Sequence, residues 1–215
     1  MFAKEGYTII ATATVLSILL SVIAYWIGNK WSWLFYTLAI VILAFVLNFF
    51  RDPDRTTPAG DHLLIAPADG KIVQIVELDH HPYINGPATQ VSIFLSAIDV
   101  HVNRIPLSGT IEQVNYNPGE YLLAWHEKSS ELNEQSQFGL LHPSGTRIFF
   151  KQITGYVARR IVYHIKEGDN VKAGDRFGMM KFGSRMDVIV PKNVELDVKL
   201  NQRTVAGETI MGRLK

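Results

Sequence analysis

The sequence contains no cysteine. This absence excludes disulfide scaffolds, thiolate nucleophiles and cysteine-based zinc or iron–sulfur sites, so any nucleophile must be an oxygen or a nitrogen atom. Charge is scarce as well, since 19% of the 215 residues are charged and the formal net charge is +1. A nucleic-acid-binding protein needs a basic field that this chain does not have. We therefore expect no nucleic-acid partner.

The histidines also lack the spacing of metal ligands. His80 and His81 are adjacent in a loop-like segment, and "WHEKSSE" around His126 has no second histidine at the distance that a zinc peptidase motif requires. The same holds for His62, His142 and His164. We expect no metal site.

Hydrophobic residues make up 47% of the chain and are concentrated in its first fifty residues. The runs 7–28 and 31–50 carry no charge, and each is long enough to cross roughly 30 Å of hydrocarbon as a helix. Only Asn29 and Lys30 separate them, so the sequence predicts a transmembrane helical hairpin over residues 1–51. A cleaved signal peptide is the alternative, but a second span follows at once and no small-residue cleavage site is suitably placed.

The flanks of the hairpin predict its orientation. Lys4 precedes the first run, Arg51 and Arg55 follow the second, and Lys30 stands alone in the turn. The positive-inside rule therefore places both ends, and the rest of the chain, on the cytoplasmic side of the cell membrane. Aromatic residues cluster at the turn, as in an interfacial belt: Trp26, Trp31, Trp33 and Tyr36.

After the hairpin the composition becomes that of a soluble domain. Two prolines and a glycine in "RDPDRTTPAGD" indicate a linker over residues 52–60. Beyond it, short β-branched runs between turn signals predict an all-β domain over residues 61–215. Residues 121–136 are predicted as a helix or a loop. The predicted strands are 71–78, 89–95, 109–114, 146–153, 159–165, 186–190 and 194–200.

Two similar glycine turns, "VKAGD" at 171–175 and "TVAGE" at 204–208, are typical of a barrel-sandwich module. A biotinyl or lipoyl carrier of that kind would attach its cofactor to Lys181, but the surrounding sequence does not match such a carrier. The predicted fold class is therefore mainly β: a barrel-sandwich-like β domain preceded by the two-helix hairpin.

The segment "KFGSRMDVIVP" at 181–191 places Gly183 and Ser184 in the middle of a strand-like run. A glycine there fits a tight bend at a barrel corner. Ser184 could alternatively be a nucleophile, but not that of an α/β-hydrolase, because Phe182 and Met186 stand where that motif needs glycines. A serine that attacks the carbonyl of its own preceding residue fits better, because a glycine there leaves the approach open.

Five segments together resemble one known family. They are "FFRDPDR" at 49–55, "APADGKI" at 66–72, "IDVHVNRIPLSG" at 98–109, "GYVARRIV" at 155–162 and the run 165–191. With the hairpin, they make nearly the whole chain similar to the short form of phosphatidylserine decarboxylase. The resemblance implies a pyruvoyl-dependent carboxy-lyase that converts phosphatidylserine to phosphatidylethanolamine and carbon dioxide at the membrane surface.

The resemblance also implies that the chain is a proenzyme that cleaves itself between Gly183 and Ser184. The products would be a large chain (1–183) and a small chain (184–215), held together as a heterodimer. Ser184 would become the cofactor, a covalent pyruvoyl group (pyruvate) that forms a Schiff base with the substrate amine. The implied partners are a phospholipid and the membrane, and the further oligomeric state stays open.

Further site residues follow from the family motifs. His101 matches the first histidine of a His-x-x-His segment, and Asp69 matches an aspartate that orients a histidine during self-cleavage. Arg104 stands where the second histidine would be, so either His101 serves both cleavage and decarboxylation or another group serves one of them. We favour His101, because a neutral imidazole can take and return a proton. We also expect Arg104 and Arg185 to contact the lipid phosphate.

Two other functions stay open at this point. One is decarboxylation of a serine headgroup on an ether lipid, because nothing in the sequence identifies the lipid backbone. The other is a non-enzymatic, membrane-tethered barrel-sandwich adaptor in which Gly183 and Ser184 only form a turn.

Overall fold

The computed structural model describes residues 1–120, 132–155, 160–181 and 184–215. The chain divides into two compact units, Met1–Asp54 and Arg55–Lys215. The first unit is helical and the second is built from β-strands. The predicted fold class, mainly β with two N-terminal apolar helices, is confirmed.

The first unit contains a short 3-10 helix, Lys4–Gly6, followed by α1 (Tyr7–Ile27) and α2 (Ser32–Phe49). Both α-helices are long and apolar enough to cross a membrane, by length and composition. Gly28 caps the carboxyl end of α1, and its φ of 59° is left-handed and therefore suits glycine.

Two hydrogen bonds illustrate how this unit is held together, one between small residues of the two helices and one between residues that flank the helices. Ser17 Oγ in α1 donates a hydrogen bond to the carbonyl of Ala39 in α2, over 3.1 Å. The backbone N–H of Ala3 donates to the carbonyl of Phe50 over 2.9 Å. Such pairing of small residues lets two apolar helices approach closely, as in membrane helix pairs.

The second unit consists of three antiparallel sheets. The eight-stranded sheet has the order β13-β2-β3-β11-β7-β6-β5-β9, and two three-stranded sheets have the orders β1-β14-β12 and β4-β10-β8. The strands are β1 (Leu63–Ile65), β2 (Gly70–His81), β3 (Gly86–Leu95), β4 (Val102–Arg104), β5 (Gly109–Asn117), β6 (Gln135–Leu141), β7 (Arg147–Ile153), β8 (Arg160–Tyr163), β9 (Asn170–Val171), β10 (Arg176–Lys181), β11 (Ser184–Pro191), β12 (Val194–Leu196), β13 (Arg203–Thr204) and β14 (Ile210–Leu214).

Strand β11 lies inside the large sheet, hydrogen-bonded to β3 on one side and to β7 on the other. Because successive side chains of a strand alternate, the sheet has two distinct faces. We call one the core face, because its side chains belong to the main hydrophobic cluster. Its apolar members on the central strands include Val91, Ile93, Leu95, Phe138, Phe150, Met186 and Val188. The opposite side, the back face, carries Arg185, Asp187 and Ile189 of β11.

The strands predicted over 71–78, 89–95, 109–114, 146–153 and 186–190 are confirmed. The runs predicted over 159–165 and 194–200 extend too far at their carboxyl ends, because β8 ends at Tyr163 and β12 ends at Leu196. Most of the predicted helix or loop at 121–136 lies outside the described residues, but Gln135 and Ser136 belong to β6. The sequence patterns did not predict β6.

Candidate active site

Ser184 is the first residue of β11, and its side chain lies on the core face. It pairs with Leu95 and is completely buried. Its Oγ has no hydrogen-bond partner within the part of the chain that the structure describes. Buried hydroxyls are normally hydrogen-bonded, so a buried, unpartnered serine oxygen is an unusual feature that calls for an explanation.

The chain changes sheets just before Ser184. Strand β10 ends at Lys181 in a three-stranded sheet, and β11 begins at Ser184 in the eight-stranded sheet. The predicted cleavage position, Gly183, lies outside the described residues, as does Phe182. The bend that the sequence predicts at Gly183 therefore stays a prediction.

His101 lies in the connection from β3 to β4 and is also completely buried. Its Nδ1 is 2.9 Å from the backbone oxygen of Asp99. A carbonyl can only accept, so this contact assigns the proton of a neutral ring to Nδ1 and leaves Nε2 as the basic nitrogen. The ring is thus oriented by a backbone carbonyl two residues away.

The carboxylate of Asp99 holds the loop that carries His101. It accepts hydrogen bonds from the backbone N–H of Ser96 over 2.9 Å and from Ser96 Oγ over 2.6 Å. It also forms an ion pair with Arg203 near the carboxyl end of the chain. These bonds fix the loop that follows β3 and so fix the position of the imidazole.

The strand register brings the segments of Ser184 and His101 together. Ser184 pairs with Leu95 at the end of β3, where the loop to His101 begins. At the other end of that loop, the carbonyl of His101 accepts a hydrogen bond from the N–H of Met180 over 3.3 Å. The segment of His101 is therefore bonded to both strands that flank the predicted cleavage position, to β11 through Leu95 and to β10 through Met180.

Asp69 lies directly before β2, whose first residue is Gly70. A side chain at Gly70 would bring its Cβ within 2.3 Å of the carbonyl oxygen of Phe94, so only glycine fits there. The Asp69 carboxylate accepts hydrogen bonds from Arg55 over 2.9 Å and from the N–H of Ala206 over 2.7 Å. The histidine-orienting role implied by the resemblance stays a prediction for Asp69, because the partners seen here are an arginine and an amide.

Arg104 is buried, and its Nη1 donates to the carbonyl of Gly174 over 2.9 Å. Its stem passes close to Gly207, where an added Cβ would lie 2.7 Å from Arg104 Cδ. A guanidinium does not lose its proton in proteins, so Arg104 cannot act as the base that a second histidine would provide.

Arg185 is 1% exposed on the back face. Its Nε donates to Asp187 over 2.6 Å, and its Nη2 donates to Gln74 Oε1 and Ser92 Oγ over 2.6 Å each. The phosphate contact expected for Arg185 stays a prediction without support from this geometry, because internal partners occupy the guanidinium.

The end of the core face near Ser184 is polar, and sequence patterns did not identify it. Gln152 of β7 lies opposite Met186, and Ser136 of β6 lies opposite Gln152, so both share the face of Ser184. Gln152 Nε2 donates to Asn103 Oδ1 of β4 over 2.8 Å. All these side chains are buried, and the signal that could have found them is a polar residue at an inward strand position.

Comparison with known proteins agrees with the motifs. A family model described as phosphatidylserine decarboxylase matches residues 42–212. A phosphatidylserine decarboxylase proenzyme from Salinibacter ruber is 56% identical over 195 residues, which cover 89% of this chain and 86% of the relative.

Proteins of the same name cover the whole chain. The one from Chlorobium phaeobacteroides is 42% identical over 215 residues, with 100% of both chains covered. The one from Prosthecochloris aestuarii is 39% identical over 214 residues, with 100% of this chain and 98% of the relative covered. With a matching family model and relatives of this similarity over its full length, the chain belongs to the phosphatidylserine decarboxylase family of enzymes.

Proposed function

We propose that this enzyme cleaves itself between Gly183 and Ser184, and that the resulting pyruvoyl group decarboxylates phosphatidylserine at the membrane surface. The observation that carries the proposal is Ser184 Oγ, which is buried and has no hydrogen-bond partner among the described residues. The serine also begins β11, which pairs with Leu95 at the point where the loop to His101 starts.

In the cleavage step, Ser184 Oγ attacks the carbonyl carbon of Gly183 while the basic Nε2 of His101 takes the hydroxyl proton. The C–N bond between the two residues breaks, which leaves an ester on Oγ and a free amine on Ser184. Elimination then releases the carboxylate of Gly183, and one water molecule replaces the nitrogen, which leaves as ammonia. The residue that remains at position 184 is a pyruvoyl group.

Position 184 fits such a group, because the side chain is small, buried and on the apolar core face. A pyruvoyl group supplies an electron-accepting carbonyl for the electron pair that departing carbon dioxide leaves behind. His101 then supplies the proton that this carbon needs. Burial of the imidazole keeps water from competing for these proton transfers.

The strands of the small chain that cleavage would produce pair with other strands inside the sheets. Its strand β11 lies between β3 and β7, and its strand β14 pairs with β1 on one side, and these three neighbouring strands belong to the large chain. These ladders, together with the buried side chains of β11, support a stable heterodimer of residues 1–183 and 184–215 after cleavage. They also support residues 61–215 as one catalytic domain.

The proposed site of action is the cytoplasmic surface of the cell membrane. Helices α1 and α2 are long and apolar enough to cross a bilayer, and many of their large side chains are exposed, including Leu19, Ile40 and Phe45. A protein surface of this composition is stable in lipid and not in water. Residues 52–60 would then link the anchor to the catalytic domain.

The deciding experiment is an intact-mass spectrum of the purified protein beside its Ser184→Ala variant. We expect two chains in the parent, with the fragment 184–215 carrying a pyruvoyl group in place of the serine, and one uncut chain in the variant. Ser136→Ala is the matched control, because Ser136 is equally buried on the same face with an unpartnered Oγ. It should still be cut.

A folded parent that stays uncut would contradict the proposal and favour the non-enzymatic adaptor. Decarboxylation is measured separately, as carbon dioxide released from phosphatidylserine in mixed micelles. A cut enzyme that acts on a serine-headgroup ether lipid but not on phosphatidylserine would favour the alternative substrate.

A further inference from the structure

Two amide side chains at the polar end of the core face have no role in the family motifs. Asn103 and Gln152 are completely buried, and they are joined by one hydrogen bond of 2.8 Å. Asn103 Nδ2 and Gln152 Oε1 have no hydrogen-bond partner in the described ranges. Rotating both side-chain amides by 180° would keep the hydrogen bond between them, and it would place the unsatisfied nitrogen on Gln152 and the unsatisfied oxygen on Asn103. In either orientation the pair therefore offers one donor group and one acceptor group.

The amide pair lies beside the reactive serine. Gln152 is opposite Met186, which makes it a diagonal neighbour of Ser184 on the same face, at roughly 7–8 Å between Cα atoms, within reach of a long side chain. Gly178 leaves room for the amide, because an added Cβ would lie 3.0 Å from Gln152 Nε2. Gln152 therefore shares the sheet face of Ser184, and its hydrogen bond holds Asn103 against the same end of that face.

Asn103 also lies close to the imidazole along the chain. The pairing of β4 with β10 continues to His101, whose carbonyl accepts a hydrogen bond from Met180. Residues two apart in such an extended run point to the same side, so Asn103 and His101 share one side of this segment. Arg104, the next residue, is directed to Gly174 instead.

A serine headgroup presents an ammonium and a carboxylate on the same carbon. The carboxylate needs a donor that orients it, but a strong cation there would stabilise the substrate more than the transition state, in which the negative charge leaves the carboxylate. A neutral amide N–H orients the group with less stabilisation of the ground state. The acceptor oxygen of the pair suits the ammonium in the same way.

We propose that Asn103 Nδ2 donates a hydrogen bond to the headgroup carboxylate, with Gln152 Oε1 accepting from the headgroup nitrogen. This pair would select the amino-acid end of the lipid, and the inference rests on the proposed decarboxylase function. It assigns recognition of the carboxylate to neutral amides, whereas the sequence analysis expected Arg104 and Arg185 to contact the lipid phosphate.

Two lipids that cannot be decarboxylated test the assignment by direct binding. One is a short-chain phospholipid with a hydroxypropionate headgroup, which has the carboxylate but no amine. The other is short-chain phosphatidylethanolamine, which has the amine but no carboxylate. In calorimetric titrations of the full-length enzyme in detergent, Asn103→Asp should weaken binding of the first lipid about ten- to hundredfold. Binding of phosphatidylethanolamine should not weaken.

Asn193→Asp is the matched control, because it makes the same charge change at an exposed position. It should leave the binding of both lipids unchanged. Intact mass is recorded for every variant before titration. If Asn103→Asp fails to fold, Asn103→Ser is titrated instead, because it withdraws the amide donor without adding charge and should weaken the carboxylate lipid about tenfold.

The following results with the Asn103 variants would overturn the inference. Equal weakening of both lipids, or no weakening of either, would mean that the pair does not recognise the carboxylate. A variant that folds but stays uncut would place the pair in maturation and not in substrate recognition. A parent that is itself uncut or releases no carbon dioxide would instead contradict the proposed function, whatever the Asn103 variants show.

Discussion

The buried polar side chains on the two faces of β11 differ in their hydrogen bonding. On the back face, Arg185 is surrounded by partners, with hydrogen bonds of 2.6 Å to Asp187, Gln74 and Ser92. On the core face one residue earlier, Ser184 Oγ has no partner among the described residues. Both residues are buried, so burial does not distinguish them.

This difference is the one we expect between a structural polar cluster and the proposed reactive serine. A buried charge is tolerated only when it is paired and hydrogen-bonded, and the back-face cluster meets that requirement. A hydroxyl whose bonding capacity is unused can instead be directed at a reacting group. The comparison predicts that substitutions of Ser184 and of the proposed proton carrier His101 change chemistry, whereas substitutions in the back-face cluster change stability.

The largest expected effect is on chemistry, from His101→Gln. Removal of the proposed proton-transfer group should lower carbon dioxide release by about 100- to 10,000-fold and slow self-cleavage. Cleavage is followed by intact mass and decarboxylation by gas release, so the two reactions are scored separately. His62→Gln, at an exposed position, is the control and should match the parent. Activity of the His101 variant within about tenfold of the parent would exclude His101 as the main acid or base.

The next effect is on stability, from Asp187→Ala. It leaves the Arg185 guanidinium buried without its anion, so the free energy of unfolding should fall by about 3–5 kcal/mol. Ser92→Ala, which removes one neutral partner of the same guanidinium, should cost about 1–2 kcal/mol. Both are measured by denaturant unfolding in an uncut Ser184→Ala background, where a single chain unfolds.

A double substitution sharpens this test. Replacing the ion pair by Arg185→Met with Asp187→Leu should recover most of the lost stability, because an apolar pair of similar volume avoids the desolvation of two charges. If Asp187→Ala costs less than about 1 kcal/mol, the back-face cluster is not the structural element that the comparison requires.

The sequence was sufficient to predict the two apolar helices and seven of the fourteen strands that the structure describes. It did not predict β6, because Gln135, Ser136 and Gln137 at its start do not alternate in hydrophobicity. The missed polar residues lie at the end of the core face where Ser184 is found. Local patterns fail most readily at functional sites, where polar side chains occupy positions that packing alone would fill with apolar ones.

The partners of single side chains were also beyond the sequence. Asp69 binds Arg55, which comes from the region predicted as a linker, and Arg185 binds Gln74 and Ser92 on two other strands. Such contacts depend on strand order and register in the whole sheet. Neither can be derived from the residues next to Asp69 or Arg185 in the chain.

The smallest expected effect is a pH dependence on the back face, due to His81. This ring packs on Phe149 with 4.8 Å between ring centroids, and its Nδ1 is buried without a partner in the described residues. Burial, helped by the positive charges of Lys151 and His80, lowers the pKa of His81 from 6.5 to about 4. The folded protein therefore resists a proton that the unfolded chain accepts.

The sign of the effect follows from this lowered pKa. Above pH 6.5, the pKa of the unfolded chain, His81 is neutral in both states, and this contribution to stability is fully present. As the pH falls toward 4, the unfolded chain binds the proton first and stability is lost. Between about pH 7 and 5 the parent should lose about 1–2 kcal/mol more than His81→Gln, allowing for partial solvent screening. Equal losses in the two proteins would mean that the back face accommodates a charged ring at position 81. Burial on the back face would then require less complete pairing of charges than the Arg185 cluster indicates.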